Sequence, residues 1–133
     1  MNAGFTAATL SHGSVFHAFH DDSGKGKFFI LLNATWPDHE VHSVLCTSQL
    51  DFFADGQLDS QILRIPAGVY PFFPKDTIVD FRRLWSVALT TLCAAQGFSV
   101  KGELSAADLK ECDHRVRCAL QLTGRQKKLL LRD

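Results

Sequence analysis

The fold of this chain is organised around one short apolar segment, Phe28-Phe29-Ile30-Leu31-Leu32. A continuous apolar run of this length is typical of a β-strand that is buried on both faces. Residues 21–26 before it are polar and contain Gly24 and Gly26, and residues 14–20 before those are β-prone. We therefore predict that the first two strands form a hairpin with its turn at residues 21–26.

Further strands are predicted on the C-terminal side of this segment. Residues 41–47, 60–65 and 77–79 have the apolar and β-branched content of strands, and residues 52–59 are predicted to be a turn or an irregular segment. Pro71 and Pro74 exclude an interior strand at residues 70–74, because proline removes a donor from the strand ladder. We expect a loop there whose aromatic side chains pack on the domain.

The last third of the chain changes to a helical period. Apolar residues recur from Leu109 to Leu120 after Ser105, which has the position of a helix N-cap. This pattern predicts a helix over residues 106–122 that stops at Gly124, and a second helix is predicted over residues 81–95. The expected fold class is α+β, a small β-barrel with the C-terminal helix packed on one side. Residues 1–12 are expected to be a loose N-terminal segment and residues 125–133 a C-terminal tail.

The amino-acid composition and charge of the chain argue against several classes of function. The chain has 133 residues, 46% of them hydrophobic, and its 14 Lys and Arg balance its 14 Asp and Glu. These values predict one folded domain and supply no overall charge that would favour duplex DNA or an anionic membrane. The apolar runs are shorter than the roughly 18 residues of a membrane span, and residues 1–10 lack the features of a secretory signal. We expect a cytoplasmic protein with no membrane association and with four reduced, buried cysteines.

Two histidine pairs, His17 with His20 and His39 with His42, have a spacing of three residues. Residues three apart on a strand point to opposite faces, so neither pair converges on one metal ion. No metal or other cofactor is expected. His20 alone, where the first strand meets the turn, is a candidate proton carrier near neutral pH.

Two segments near the predicted strand ends are candidates for phosphate binding. Lys25 and Lys27 supply cations beside the free amides of the glycine-containing turn, or they belong to an ordinary solvated turn. Thr47, Ser48 and Gln49 lie where the third strand leaves the sheet, a position for functional hydroxyls or for hydroxyls that stabilise a turn.

A third candidate is the charged group after residues 77–79. Asp80, Arg82 and Arg83 supply an acid and two phosphate ligands, or they form an ordinary surface charge cluster.

Taken in order, five segments resemble the PemK/MazF family, the toxin halves of bacterial toxin–antitoxin pairs. They are Gly13-Ser14-Val15-Phe16, residues 26–33, Cys46-Thr47-Ser48-Gln49, Asp80-Phe81-Arg82-Arg83 and Gly102-Glu103-Leu104-Ser105. The resemblance spans residues 13–122. It implies an SH3-like β-barrel domain over residues 13–124, a homodimer, and the toxin of a type II toxin–antitoxin system that is inhibited by a cognate antitoxin protein.

The resemblance also implies a chemistry, the metal-independent endoribonuclease cleavage of single-stranded RNA. The RNA 2′-hydroxyl attacks its own phosphate and leaves a cyclic phosphate and a 5′-hydroxyl. Lys27 matches the family's essential Arg and would stabilise charge, Thr47 matches its essential Thr and would bind a phosphate oxygen, and His20 would carry a proton. The residues expected to contact the RNA are Lys25, Ser48, Gln49, Asp80 and Arg83.

The sequence departs from the family pattern at the proposed cation. Lys27 lacks the bidentate fork that Arg offers to phosphate, and Phe28 and Phe81 replace a Pro and a Gln. The alternative hypothesis keeps the barrel but makes it an interaction module without nuclease activity, which binds a protein partner as gyrase poisons do or binds the antitoxin only. Its contact anchors would be Tyr70, Phe72 and Phe73.

Overall fold

The computed structural model describes residues 10–20, 25–35, 39–95 and 97–131. These residues form an α+β fold. The strands are β1 (Ser14–His20), β2 (Lys25–Thr35), β3 (Glu40–Thr47), β4 (Ile62–Ile65), β5 (Thr77–Ala88) and β6 (Ser99–Glu103). The α-helices are α1 (Leu89–Cys93), α2 (Ala106–Cys118) and α3 (Gly124–Leu130), and short 3-10 helices cover Asp51–Phe53 and Asp59–Gln61.

The strands form one curled antiparallel sheet of six strands in the order β4-β5-β3-β2-β1-β6. The predicted first strand and its hairpin with β2 are confirmed, with Val15 opposite Ile30 and His20 opposite Lys25. The turn predicted between them falls largely on residues 21–24, which lie outside the described residues. The hairpin places β2 in the middle of the sheet, between β1 and β3.

The apolar segment of β2 is buried on both faces, as predicted. Ile30 and Leu32 are 0% exposed and belong to the core that α2 and α3 cover. Phe29 and Leu31, which alternate with them, pack into a separate cluster on the opposite face. We call the face under α2 and α3 the helix face and the opposite face, which contains Phe29 and Leu31, the open face.

The open face is covered at two places. Leu92 of α1 and Phe98 pack against the cluster of Phe16 and Phe29. Phe53, from the segment between β3 and β4, packs on Ile62 and Ile78 near the other edge of the sheet. On β3 and β5, Leu45 and Trp85 are half-buried.

The helix predicted over residues 81–95 is wrong for most of its length. β5 continues as a strand to Ala88, and only Leu89–Cys93 is helical. β5 pairs with β3 on one side and with β4 on the other, so hydrogen bonds to residues distant in sequence decide its structure. The strand predicted at residues 60–65 begins only at Ile62, and β6 was not predicted.

The C-terminal helix is also shorter than predicted. Ser105 caps α2 by accepting a hydrogen bond from the Asp108 amide, as expected, but α2 ends at Cys118. Gly124 does not stop a helix; it begins α3, which has a capping box formed by Thr123 and Gln126. Residues 125–130, expected to be a tail, lie in α3, and Leu130 is 0% exposed.

Four cysteines were expected to be reduced and buried. All four are free thiols, but only Cys46 and Cys112 are buried, whereas Cys93 is half-buried and Cys118 is exposed. None of the helices in the described part of the chain has the length and apolar character needed to cross a membrane.

His42 is a buried histidine whose titration should make the fold sensitive to acid. Its side chain is 0% exposed, with Nε2 3.1 Å from Thr35 Oγ1 and Nδ1 2.7 Å from Ser86 Oγ. Burial lowers its pKa from the ordinary 6.5, and the Glu40 carboxylate, 3.9 Å from Nδ1, partly opposes this. The unfolded chain therefore binds this proton more tightly than the folded protein. His42 costs no stability above pH 6.5, and stability is lost as the pH falls below that value toward the lowered pKa.

We expect the free energy of unfolding to fall more steeply between about pH 7 and about pH 5 in the unchanged protein than in His42→Gln. Urea titrations of both proteins at the two pH values measure this difference, and the other histidines cancel in the comparison. If the free energy of unfolding falls by the same amount between the two pH values in both proteins, the result would contradict the buried position of His42.

Candidate functional site

Lys27 and Thr47 lie next to each other on adjacent strands. Phe28 of β2 is opposite Cys46 of β3, so Lys27 and Thr47 each lie one residue beyond that pair. Phe28 and Cys46 belong to the helix face, and alternation along the strands places Lys27 and Thr47 on the open face. The pair of residues predicted to be essential is therefore brought together at one end of the sheet.

The hydroxyl of Thr47 has a defined orientation. Its Oγ1 accepts a hydrogen bond from the backbone N–H of Gln49 at 3.1 Å, so the side chain stabilises the turn that ends β3. Ser48 and Gln49 are exposed on that turn. A hydroxyl that accepts one hydrogen bond still has its own proton to donate, and a phosphate oxygen is an acceptor for it.

Asp80 is on the open face but is already bound by a cation. It lies opposite Leu45 in the β3–β5 pairing. Arg82 donates from Nε to Oδ1 at 2.9 Å and from Nη2 to Oδ2 at 2.7 Å, and this bonding raises the pKa of Arg82. The Asp80 side chain is only 14% exposed. Asp80 thus acts in this structure as the partner of Arg82, and sequence reasoning missed that pairing.

An exposed aromatic ring accompanies this ion pair. The Arg82 guanidinium lies 4.9 Å from the centre of the Phe52 ring, which is 64% exposed. This arrangement holds the ion pair and the aromatic ring together beside the half-buried Leu45. The sequence contains no local signal for it, because Phe52 comes from the segment between β3 and β4.

Arg83 lies farther along β5. The register of β3 and β5 is irregular between the pairs Ser43–Trp85 and Leu45–Asp80, and Arg83 belongs to this irregular section. It is exposed, and its guanidinium lies 5.7 Å from the centre of the Trp85 ring. Arg83 is therefore separated along β5 from the end of the sheet that contains Lys27 and Thr47.

His20 and Lys25 are placed by their backbones alone. They are opposite each other in the β1–β2 pairing, next to the turn, and Lys27 is opposite Ala18 in the same hairpin. Their side chains lie outside the described residues. In the described part of the chain, no three His, Cys, Asp or Glu side chains are grouped in a way that would hold a metal ion.

A pocket of about 170 Å³ opens beside Thr47, and sequence reasoning missed it. Three segments contribute its walls: the start of β2, the end of β3 and the loop before β5. The lining residues are Phe28, Cys46, Thr47, Ser48, Phe72, Phe73, Pro74, Lys75 and Thr77. The only sequence signal was the expectation that the aromatic residues of the 70–74 loop pack on the domain, and that expectation is confirmed.

Tyr70 and Phe73 are not the exposed anchors that the interaction-module hypothesis requires. They are 8% and 2% exposed and belong to the core. The Tyr70 hydroxyl donates to the Asp108 carboxylate and accepts from the Ser105 N–H at 3.0 Å. Because these bonds satisfy the hydroxyl and tie the loop to α2, the predicted contact role of this pair is wrong.

Comparison of the sequence with models of known protein families gives no match, and comparison with curated proteins gives none either.

Proposed function

We propose that this protein is a PemK/MazF-like toxin, an endoribonuclease that cleaves single-stranded RNA without a metal ion. The observation that supports this most is the adjacency of Lys27 and Thr47 at the ends of β2 and β3, beside the exposed Ser48 and Gln49. The curled antiparallel sheet is compatible with an SH3-like barrel. The homodimer and the cognate antitoxin belong to the proposal through the sequence resemblance.

The proposed reaction needs charge stabilisation and proton transfer. When the RNA 2′-oxygen attacks the adjacent phosphorus, negative charge develops on the non-bridging oxygens of the phosphorane. The Lys27 ammonium stabilises that charge, and the Thr47 hydroxyl donates a hydrogen bond to one of these oxygens. The 2′-hydroxyl gives up its proton as its oxygen attacks, and the 5′-oxygen takes up a proton when its bond to phosphorus breaks. His20 is the proposed proton carrier, and Lys25 an RNA contact of the same hairpin.

Incubation of the purified protein with a long single-stranded RNA in EDTA tests this function. We expect discrete cuts whose products have 5′-hydroxyl and cyclic-phosphate ends. Mapping the ends by ligation and primer extension distinguishes this chemistry from hydrolysis that leaves a 5′-phosphate. Intact RNA at high protein concentration would contradict the nuclease and would favour the interaction module.

Variants of Thr47 assign the activity to this site. Thr47→Ala is expected to slow cleavage about 100-fold, because it removes a hydrogen-bond donor to the phosphorane. Thr47→Ser keeps the hydroxyl and should retain most activity. Thr91→Ala, at an exposed threonine of α1, is the matched control. If Thr47→Ala cleaves as fast as the unchanged protein, the site is wrong even if the protein is a nuclease.

A further inference from the structure

The pocket beside Thr47 has the size of one six-membered aromatic ring. Its volume is about 170 Å³, and a protein cavity of about 150 Å³ accommodates a benzene ring. Three of its nine lining residues are phenylalanines, Phe28, Phe72 and Phe73. Phe28 and Phe72 are half-buried, so part of each ring remains accessible, whereas Phe73 behind them is 2% exposed.

The aromatic wall is held in place by its surroundings. The Phe73 ring packs edge-on against Phe28, with centroids 5.5 Å apart, and against Phe72, with centroids 4.8 Å apart. Phe72 also stacks on Tyr70 at 5.2 Å. A methyl group added at Gly102 would lie 2.7 Å from the Phe72 ring, so this glycine allows the ring to sit against β6. A wall fixed in this way loses little conformational entropy when a planar ligand stacks on it.

Two of the polar residues that line the pocket are exposed. These are Lys75 and Ser48, and they provide an ammonium group and a hydroxyl. Thr77 Oγ1 donates to the Lys75 carbonyl at 3.0 Å, which fixes the loop that contains Lys75. Cys46 also lines the pocket and is buried, and this burial raises the pKa of its thiol and keeps it neutral. An aromatic ring with carbonyl oxygens on its edge matches an apolar slot with exposed donors.

We propose that this pocket binds one unpaired pyrimidine base of the RNA, stacked against Phe28 and Phe72, with Lys75 and Ser48 donating to its carbonyl oxygens. This inference rests on the proposed function, because Thr47 belongs both to the pocket and to the proposed cleavage site. Unpaired bases are bound by proteins through stacking on aromatic side chains and hydrogen bonds to their edges. Most of the pocket is lined by side chains of the helix face, whereas the Lys27 and Thr47 side chains lie on the open face. The bound base would therefore belong to an RNA strand that passes around the ends of β2 and β3, and the pocket would select one nucleotide near the cleavage site.

Nucleoside 3′-monophosphates test the pocket independently of RNA cleavage. We expect UMP and CMP at millimolar concentration to shift the amide NMR signals of Ser48, Phe72 and Lys75. AMP and GMP should shift them much less, and ribose 5-phosphate, which has no base, should leave them unchanged. Equal shifts with purines and pyrimidines, or no shifts with any nucleotide, would overturn the proposal.

Oligonucleotides test whether the base belongs to RNA or to a free nucleotide. Fluorescence anisotropy with 2′-O-methyl oligouridine, which cannot be cleaved by 2′-hydroxyl attack, measures binding alone. Phe72→Leu keeps an apolar side chain but removes the stacking face, and we expect binding roughly tenfold weaker. Phe98→Leu, at a half-buried phenylalanine outside the pocket, should bind like the unchanged protein. Lys75→Gln, at an exposed position that should not affect folding, should also weaken binding.

The outcomes separate the pocket from the proposed function. Cleavage of RNA with unchanged binding by Phe72→Leu and Lys75→Gln would overturn the pocket and leave the nuclease. Binding of pyrimidine mononucleotides without binding or cleavage of any RNA would overturn the nuclease and the assignment to RNA, and would identify a free nucleotide as the ligand. Weaker oligouridine binding by both variants, with oligoadenosine bound poorly by all proteins, supports the pocket and its assignment to RNA.

Discussion

Lys27→Ala is expected to slow RNA cleavage about 100- to 1,000-fold while the protein remains folded. The loss of one group that stabilises a developing oxyanion has an effect of this size in other enzymes. Lys27 is half-buried on the open face, one residue beyond the Phe28–Cys46 pair. Its removal therefore takes away a cation beside Thr47 without opening the core under α2 and α3.

Three measurements make this prediction specific. Lys110→Ala removes an exposed lysine from α2, on the helix that covers the other face, and should cleave normally. Lys27→Arg provides a bidentate fork for phosphate and should retain or increase the rate. Thermal unfolding of all three variants shows whether any loss of rate reflects loss of fold. A folded Lys27→Ala that cleaves at the normal rate would exclude Lys27 from catalysis.

The structure of β2 shows which features of the fold could be predicted from the sequence. The apolar run at residues 28–32 predicts a strand that is buried on both faces, because a continuous apolar run needs cover on each side. Phe29 and Leu31 lie on one face of this strand, and Ile30 and Leu32 lie on the other. The helix start after Ser105 was predicted from its capping signal, which is local. A capping box of Thr123 and Gln126 also marks the start of α3, at the place where the sequence analysis predicts a helix stop at Gly124.

β5 and the pocket depended on information that is not local. Residues 81–95 have no period that separates a strand from a buried helix, and β5 is decided by its pairing with β3 and β4. The adjacency of Lys27 and Thr47 could be predicted only through the family resemblance. The pocket combines side chains such as Phe28, Ser48 and Phe72 from three segments, and their convergence requires the register of the whole sheet.

In the candidate site, the structure divides the charged residues at positions 80–83 into an ion pair and a separate exposed arginine. Sequence reasoning treated Asp80, Arg82 and Arg83 as one charged group. Alternation along a strand puts residues 80 and 82 on the same side, and the carboxylate and guanidinium bind each other through two hydrogen bonds. Of this group, Arg83 is the exposed cation on β5, and its neighbour is the Trp85 ring.

Leu130→Ala is expected to lower the free energy of unfolding by about 2–5 kcal/mol, the usual cost of truncating a buried leucine. Leu130 is 0% exposed and lies in the same core as Ile30 and Leu32 of β2. The end of α3 is also fixed to β2, because Asn33 Nδ2 donates to the carbonyls of Leu129 at 3.0 Å and Leu131 at 3.2 Å. The helix cannot move away to fill the cavity without breaking these bonds.

Urea denaturation of Leu130→Ala beside Leu120→Ala measures this effect with a matched control. Leu120 is 80% exposed, so its truncation should change stability by no more than about 0.5 kcal/mol. Similar losses of stability in the two variants would show that α3 does not pack on the sheet and that residues 125–133 are a tail.

Because Leu130 touches the helix face and Lys27 lies on the open face, Leu130→Ala should still cleave RNA at the normal rate at any temperature where it is folded. A fall in cleavage at a temperature where the variant is fully folded would instead show that α3 positions β2 for the reaction.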